Sequence, residues 1–563
     1  MRFSLLGWLC TAFVAVSPAS ARETIATHHM ISAANPYAAR AGLEMLRRHG
    51  SAVDAAIAAQ IVLTLVEPES SGIGGGAFLM LWDPKHSKIT SFDGRETAPA
   101  SAKPGMFLDA SGNPRAHMDA IPGGLSVGVP GDLRVLELAH KKYGKLKWDT
   151  LFGPAITLAS KGFPVSRKLA AELRDLPALC KMPDVRRYLC HNNGTPVAKG
   201  EILKNPELAT TLREIARNGA NAFYYGSIAR AIIDKVRHAP VNPGGMTLAD
   251  LARYKAVERK PVCGTYRGNR LCSMGPPSSG GVAVLQILGM LQQFPSRDLQ
   301  PGTLSEVHLV SETERLAFAD RAQYLADPDA VHVPVKGLLD SRYLASRAAL
   351  IEPEKDLGVA QPGEPPASAS KYAPQRTPQL PGTSHLSVVD DSGEVVSMTT
   401  TIEFVLGAEI MARGFFLNNE LTDFSFEPVR DGKPVANAPA PGKRPMSAMS
   451  PTIVFGPDGK FRIAAGSPGG PLIITYVAQA LIGMIDGSLT PQRAASEPHF
   501  ANPNGPTLLE KGTDLELLAL QLRAMGHDVI TRDMESGLHI IERVPGGYVG
   551  GADPRRDGIA VGD

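Results

Sequence analysis

The stretch that most constrains this chain is Pro381-Gly382-Thr383-Ser384-His385-Leu386-Ser387-Val388-Val389-Asp390. A loop stops abruptly at Thr383 and becomes a strand. Leu386 and Val388 fall on one face of that strand, Ser387 and Val389 on the other. Asp391-Ser392-Gly393 makes a tight turn, and Glu394 to Thr399 returns as a second strand. A threonine hydroxyl at neutral pH is a poor nucleophile and needs a base. Its own α-amino group can serve if the chain is cut just before it, because a free α-amine titrates at about 7.7 to 8. Gly382 lets the backbone take a strained path at such a cut. The same residues also suit a plain loop-to-hairpin junction, so the reading depends on the rest of the chain.

The start of the chain reads as an export signal, residues 1–21. Arg2 supplies the positive end, Leu5 to Val16 the apolar middle, and Ala19-Ser20-Ala21 the small-residue cut. The apolar run is too short for a membrane anchor. Cys10 lacks the preceding small residue of a lipoprotein cut. The mature protein is therefore expected to be exported, to the periplasm or medium if the source is a bacterium. Net charge is +2 and the charges are interspersed, which speaks against nucleic acid or an acidic membrane surface as partner. Loss of the signal removes Cys10 and leaves Cys180, Cys190, Cys263 and Cys272 as two close pairs. In an oxidising compartment, short loops favour the local disulfides Cys180–Cys190 and Cys263–Cys272 over four free thiols. A metal site of all four would want tighter spacing.

The length would allow three or four domains. However, large apolar stretches occur at both ends, which points to one intertwined core. The spacing predicts helices over about Pro36 to Arg48 and Ala52 to Val66. After the second comes Gly72-Ile73-Gly74-Gly75-Gly76, then strands at 77–82 and 89–92. The glycines precede a strand and no Gly-Lys-Ser/Thr follows, so close backbone packing is expected there rather than a phosphate cradle. Gly124-Leu125-Ser126-Val127-Gly128 matches the G-x-S-x-G pattern of serine hydrolases, but prolines and glycines flank it where strand and helix are required. From Leu133 to about Gly244 the chain reads as mainly helical, with further helices at 247–251, 282–291 and about 514–525. Residues 352–382 are rich in proline, glycine, serine and alanine and read as a flexible segment.

The Thr383 stretch resembles the processing site of the γ-glutamyltransferases, or glutathione hydrolases, which are N-terminal-nucleophile hydrolases. In that family the threonine of a T-[ST]-H-x-S-V-V-D motif cuts its own precursor and then attacks γ-glutamyl amides. Matching stretches include Phe92-Asp93-Gly94-Arg95-Glu96, Tyr254 to Arg259, Pro276 to Gly281, Leu417-Asn418-Asn419, Lys443-Arg444-Pro445 and Gly466 to Gly470. Ala552 to Gly558 also looks like the family and is read as structural. The resemblance runs from about residue 24 to the C-terminus. It implies an α+β fold, the four-layer αββα sandwich. It also implies a large subunit (22–382) and a small one (383–563) cut from one precursor between Gly382 and Thr383.

The resemblance further implies the site. Thr383 is the nucleophile and Thr401 supports it by hydrogen bonding. Gly469 and Gly470 offer backbone N–H groups to the tetrahedral oxyanion, a contribution of about 10² to 10³ in rate. Arg95 and Ser447 hold the substrate's α-carboxylate, and Glu403, Glu420 and Asp423 its α-ammonium. Three converging carboxylates repel one another unless a cation joins them, which argues for an amino-bearing substrate. Many members carry Asn and Gln at positions 403 and 420. Two departures stand out. Ala448 replaces a second serine, and the segment from Phe424 to Gly442 is short and lacks tyrosine where many relatives have a lid. The expected activity is γ-glutamyl transfer from glutathione or similar amides to water, amino acids or peptides, with no metal or organic cofactor. Two alternatives are a glutaryl or cephalosporin-type acylase and a solute-binding protein that never turns over.

Overall fold

The computed structural model describes residues 23–368, 371–376 and 382–563, so the expected signal lies outside the described residues. Two seven-stranded sheets form the centre, and neighbouring strands in both are antiparallel. The first runs in the order Ile559–Gly562, Met30–Ala33, Ser384–Val389, Val395–Thr401, Gly76–Asp83, Lys88–Gly94, Val257–Arg259. The nucleophile strand Ser384–Val389 and its return strand Val395–Thr401 are thus central. They are paired from Ser384 opposite Thr400 to Val389 opposite Val395. The second sheet runs Thr24–Ala26, Gly547–Ala552, His539–Val544, Phe461–Ala465, Thr452–Phe455, Asn269–Ser273, Val262–Tyr266.

Alternation along the nucleophile strand sorts its side chains between two cores. Leu386 and Val388 join Ile31, Leu79, Leu81, Val396 and Met398 against a helical layer that includes Pro36–Arg47 and Ala52–Val66. Val389 and Val395 join Met30, Phe78, Met80 and the second sheet. Helices Gly280–Leu291, Leu304–Tyr324 and Ile473–Ile485 pack on the far side of that sheet. The order helix, sheet, sheet, helix is the four-layer αββα sandwich. Truncating a central residue such as Leu386 to alanine would cost about 2–5 kcal/mol.

Both early helices begin at side-chain caps. Asn35 accepts from Tyr37 N at 3.0 Å, and Ser51 forms a capping box with Asp54. The helix Ala52–Val66 is buried along its whole length, which explains its near-continuous apolar sequence. The second and third glycines of the run close against backbone. A Cβ at Gly75 would stand 1.9 Å from the Thr401 carbonyl oxygen.

The facing sheets are joined by polar as well as apolar contacts. Ser32, Ser387 and Ser397 lie side by side on three neighbouring strands. Each donates to a carbonyl of the opposite sheet: Gly551 at 2.8 Å, His539 at 3.0 Å and Ala465 at 3.1 Å. Ser126 of the G-x-S-x-G sequence is buried in a short 3-10 turn. Its hydroxyl donates to Ile121 and Gly123 carbonyls, so it is no nucleophile. The helix expected at about 514–525 is divided into a 3-10 turn, Asp514–Leu518, and an α-helix, Ala519–Ala524.

Candidate active site

Thr383 stands at the entry of the nucleophile strand with 3% of its surface exposed. Its hydroxyl is hydrogen-bonded to the carbonyl of Gly382, the bond expected to be cut. The antiparallel register places Thr401 beside it, 3.4 Å away between hydroxyl oxygens. Thr401 donates to the Gly382 carbonyl at 3.2 Å and accepts from Glu403 N at 2.8 Å. One hydroxyl therefore holds the carbonyl oxygen of the bond expected to be cut. Glycine is required at 382, because a Cβ there would lie 2.0 Å from Glu403 O.

These groups line one cavity with Arg95, Glu403, Glu420, Asp423, Ser447, Ala448 and Gly470. Gly469 is not among its lining residues. It stands just before the one-turn helix Gly470–Leu472, with a left-handed φ of 133°. The cavity measures about 20 Å³, room for about one water. Ala448 faces the cavity where the resemblance has serine.

The ionic arrangement departs from the expectation drawn from sequence. Two of the three carboxylates, Glu420 and Asp423, are joined by Arg95 itself. Its Nη1 donates to Glu420, its Nη2 to Asp423 Oδ2 at 2.5 Å and Met446 O at 3.1 Å, and its Nε to Pro445 O at 3.1 Å. An amino-bearing substrate is therefore not needed to bring Glu420 and Asp423 together, and Glu403 lies outside this pairing. Burial pulls the Arg95 guanidinium down, but Glu420, Asp423 and Glu96 outweigh it and hold it above its ordinary value. Burial pushes Glu420 up to about 7 against the pull of Arg95. Burial, and then the charges of Asp423 and Glu420, raises Glu403 well above the carboxylate range. Glu403 Oε2 accepts from Asn419, while the buried Oε1 has no partner.

The loop carrying Arg95 is braced from behind. Asp93 accepts from Arg95 N at 2.8 Å and from Arg259 Nε at 2.7 Å, and Tyr254 donates to Arg95 O at 2.7 Å. Lys443 donates to Ala436 and Ala438 carbonyls at 2.6 and 2.8 Å, fixing the loop that brings Ser447 to the cavity. Ser279 N and Oγ both donate to Ser447 O, at 2.7 and 2.6 Å. The Lys-Arg-Pro and Ser-Ser-Gly-Gly motifs thus act as frame.

One contact was missed by treating residues 552–558 as structural. Arg556, buried, donates from Nη1 to Thr383 O at 2.9 Å. A cation inside a stretch resembling the family was the signal available. Behind Thr383, Ser384 Oγ donates to Glu67 Oε2 at 3.2 Å. Burial lifts Glu67 to about 7, opposed by Lys168 and Arg556.

The structure brings each cysteine to its expected neighbour, with sulfur–sulfur distances of 2.04 Å for Cys180–Cys190 and 2.06 Å for Cys263–Cys272. Among the described residues, His308, Glu312 and His527 are close enough to share a metal ion. Their atoms are already engaged. His308 Nε2 reaches Glu352 O, the two rings meet at 2.8 Å, His527 Nδ1 meets Thr507 Oγ1, and Glu312 accepts from Arg315.

Three comparisons bear on this geometry. The family model described as "Gamma-glutamyltranspeptidase" matches residues 38–563. The "Glutathione hydrolase proenzyme" of Bacillus subtilis (strain 168) is 37% identical over 545 residues, 95% of this chain and 91% of the relative. That of Escherichia coli (strain K12) is 37% identical over 540 residues, 93% of this chain and 90% of the relative. Among solved structures, the cephalosporin acylase from Bacillus halodurans superposes with a TM-score of 0.84 at 27% identity, covering 99% of each chain.

Proposed function

The chain belongs to the gamma-glutamyltranspeptidase family, and from that premise we propose that it cleaves γ-glutamyl amides such as glutathione. It passes the γ-glutamyl group to water, an amino acid or a peptide. The observation that carries this reading is the contact of the Thr383 hydroxyl with the Gly382 carbonyl, in a cavity that also holds Arg95 and Asp423.

The chemistry has two stages. In maturation, Thr383 Oγ adds to the Gly382 carbonyl carbon while Thr401 supports the oxyanion. The C–N bond breaks, the hydroxyl proton leaves on the Thr383 nitrogen, and Gly382 remains as an ester on Thr383 Oγ. Water hydrolyses that ester, leaving a Gly382 carboxylate and a free α-amine. In turnover, the amine accepts the hydroxyl proton as Oγ attacks the γ-carbonyl. The substrate's amine departs with a proton, and water or an acceptor amine releases the γ-glutamyl ester. Gly469 and Gly470 N–H groups support this second oxyanion. Arg95 and Ser447 take the α-carboxylate, and Glu403, Glu420 and Asp423 the α-ammonium. The products of maturation are a large subunit, 22–382, and a small one, 383–563.

Export fits this reading. Among the described residues no helix is long and apolar enough to cross a membrane, and the two close cysteine pairs suit an oxidising compartment as disulfides. The test is a denaturing gel with N-terminal sequencing, beside an assay of γ-glutamyl amide turnover. Two bands are expected, the smaller beginning at Thr383. Thr383→Ala should stay a single inactive chain. Wild-type protein that remains uncut yet fully active would sink the assignment, and an uncut, inactive one would favour a binding protein.

One observation favours a second reading, a glutaryl or cephalosporin-type acylase. Arg95 already pairs with both Glu420 and Asp423, so these two carboxylates do not need a substrate cation to bring them together. Matched γ-glutamyl and glutaryl amides separate the two.

A further inference from the structure

Thr383 and its cavity stand at one end of the first sheet, and a larger cavity, of about 730 Å³, lies at the other. The strand register sets the separation. Gly76 stands opposite Thr401, and Trp82, six positions along the same strand, stands opposite Val395. At about 3.3 Å per residue this places the two cavities about 20 Å apart. Here the two sheets part, and four hairpin turns ring the opening, after Asp83, Tyr266, Val389 and Phe455. Neighbouring turns touch: a Cβ on Gly393 would meet Pro84 Cγ at 4.0 Å, and one on Gly268 would meet Pro457 Cγ at 3.8 Å. Every lining residue lies on these strands and turns, away from the bond expected to be cut.

The wall of this cavity is aromatic and its mouth is cationic. Trp82 and Phe455, one from each sheet, meet edge to face with ring centres 4.7 Å apart, and half-buried Tyr548 packs on the same core. The Trp82 indole N–H donates to no protein atom among the described residues. Arg270 lies over the Phe455 ring, 4.5 Å from its centre. Neither Arg270 nor Lys460, both exposed, forms an ion pair among the described residues. Arg543 adds a third cation, held by Phe461 O at 2.6 Å and Asp458 Oδ2 at 3.1 Å. Among the described residues no carboxylate lines the cavity. The nearby ones are engaged: Asp458 by Arg543, Asp390 by Lys145 and Asp391 by His29.

We propose that this cavity is a second ligand site, separate from the Thr383 chemistry, and that it takes an aromatic carboxylate. The flat ring lies against Trp82 and Tyr548, and the carboxylate meets Arg270 and Lys460. The volume falls within the range of about 300–1,000 Å³ usual for small-molecule sites. Cations without a facing carboxylate select an anion, and a guanidinium pairs with a carboxylate as a fork. Aromatic walls favour a ring over an aliphatic body of the same size, through stacked and edge-to-face contacts. A sandwich end that met only water would gain nothing from unpaired cations set over aromatic rings.

The test titrates the purified full-length product with 2-naphthoate, followed by calorimetry. Two controls divide its chemistry: cyclohexanecarboxylate has the charge without the aromatic ring, and 2-naphthalenemethanol the ring without the charge. Trp82 reports the place of binding. In Trp148→Phe it is the sole tryptophan beyond the expected signal, since the chain has three. 2-Naphthoate should bind with a Kd of about 0.1 mM and change the Trp82 fluorescence over the same range, and both controls should bind at least about tenfold more weakly. Arg270→Glu and Lys460→Glu alter exposed side chains, so both should melt within about 3 °C of wild type. Each should weaken 2-naphthoate about tenfold or more and leave γ-glutamyl amide turnover as in wild type. Absence of binding would overturn the proposal. So would equal affinity for all three compounds, which marks unspecific apolar contact. Binding that survives both substitutions, or that leaves Trp82 fluorescence unchanged, would place the ligand elsewhere and overturn it as well.

Discussion

Arg556 donates from Nη1 to the carbonyl oxygen of Thr383 at 2.9 Å, joining residues 173 positions apart. Its Nε donates to Ser536 O at 2.9 Å. Ser536 adjoins Gly537, where a Cβ would meet Pro468 Cγ at 2.5 Å and Arg556 Cδ at 2.7 Å. The guanidinium therefore pins the start of the nucleophile strand to a loop packed on the Gly466–Gly470 turn. A lysine ammonium is a compact point charge and cannot reproduce the fork. Losing one hydrogen bond to a charged group costs about 1.5–3 kcal/mol. Arg556→Lys should accordingly slow self-cleavage by about 10- to 100-fold, read as precursor remaining in a time course on gels. Cleavage at the wild-type rate would show that this contact does not position Thr383.

The difference between Arg556 and the two early helices shows what the sequence carries. Pro36–Arg47 and Ala52–Val66 were legible almost to the residue. Asn35 and Ser51 are local caps, Gly50 and Pro68 are local stops, and the apolar pattern needs no distant partner. The alternation of Leu386 and Val388 against Ser387 and Val389 was legible for the same reason. What covers each face was not. The nucleophile strand is flanked by Met30–Ala33, which in turn pairs with Ile559–Gly562. No local period records a pairing across more than 500 residues. In the site, motif resemblance located Thr383, Arg95 and Asp423, but not their ionic state. The pairing of Arg95 with Glu420 and Asp423 depends on loops from separate parts of the chain meeting at one buried point.

Buried carboxyls make stability depend on pH with a definite sign. Glu314 lies in the long helix with Oε2 accepting from Asn502 N at 2.6 Å and Oε1 unpartnered. Burial raises it from the ordinary 4.5 to about 8, against the Asn502 bond. Below about pH 4.5 both folded and unfolded chains hold the proton. Between about 4.5 and 8 only the folded chain does, so stability falls as pH rises through that window. The slope approaches about 1.4 kcal/mol per pH unit for one such group. Glu314→Gln keeps the shape and removes the titration. The melting temperature of wild type should therefore fall from pH 5 to 8 more steeply than that of Glu314→Gln. Parallel curves would mean that Glu314 is ionised in the folded chain.

The close cysteine pairs predict two local crosslinks. Cys180–Cys190 and Cys263–Cys272 span separations of 10 and 9 residues. Closing loops of that size in the unfolded chain is worth about 2–3 kcal/mol each on the entropic account. Non-reducing peptide mapping should recover these two pairs, and reduction should lower the melting temperature. Free thiols or crossed pairs in protein recovered from an oxidising compartment would refute the pairing.

The decisive prediction concerns Asp423, because the structure gives it two rival partners. In the structure it accepts from Arg95 Nη2 at 2.5 Å. With a γ-glutamyl head bound, the substrate carboxylate competes for Arg95 and releases Asp423 to the ammonium. A glutaryl head has the carboxylate but no ammonium, so it gains nothing from that release. Asp423→Asn should thus lower kcat/KM for a γ-glutamyl amide by about 10- to 100-fold, the loss of one charge-assisted hydrogen bond. It should lower the glutaryl amide far less, because Arg95 is then freer to meet the terminal carboxylate. Arg95→Lys should harm both substrates, since both carry that carboxylate and an ammonium cannot pair with it as a fork. Arg95→Ala is the less informative change: it strands Glu420 and Asp423 as buried, unpaired carboxylates, which is itself strongly destabilising. The comparison uses matched leaving groups, so that the acyl head alone varies. Equal losses for both amides in Asp423→Asn would mean that Asp423 serves only to hold Arg95. The ammonium-reading pocket would then lose its main support, and the glutaryl acylase reading would move ahead.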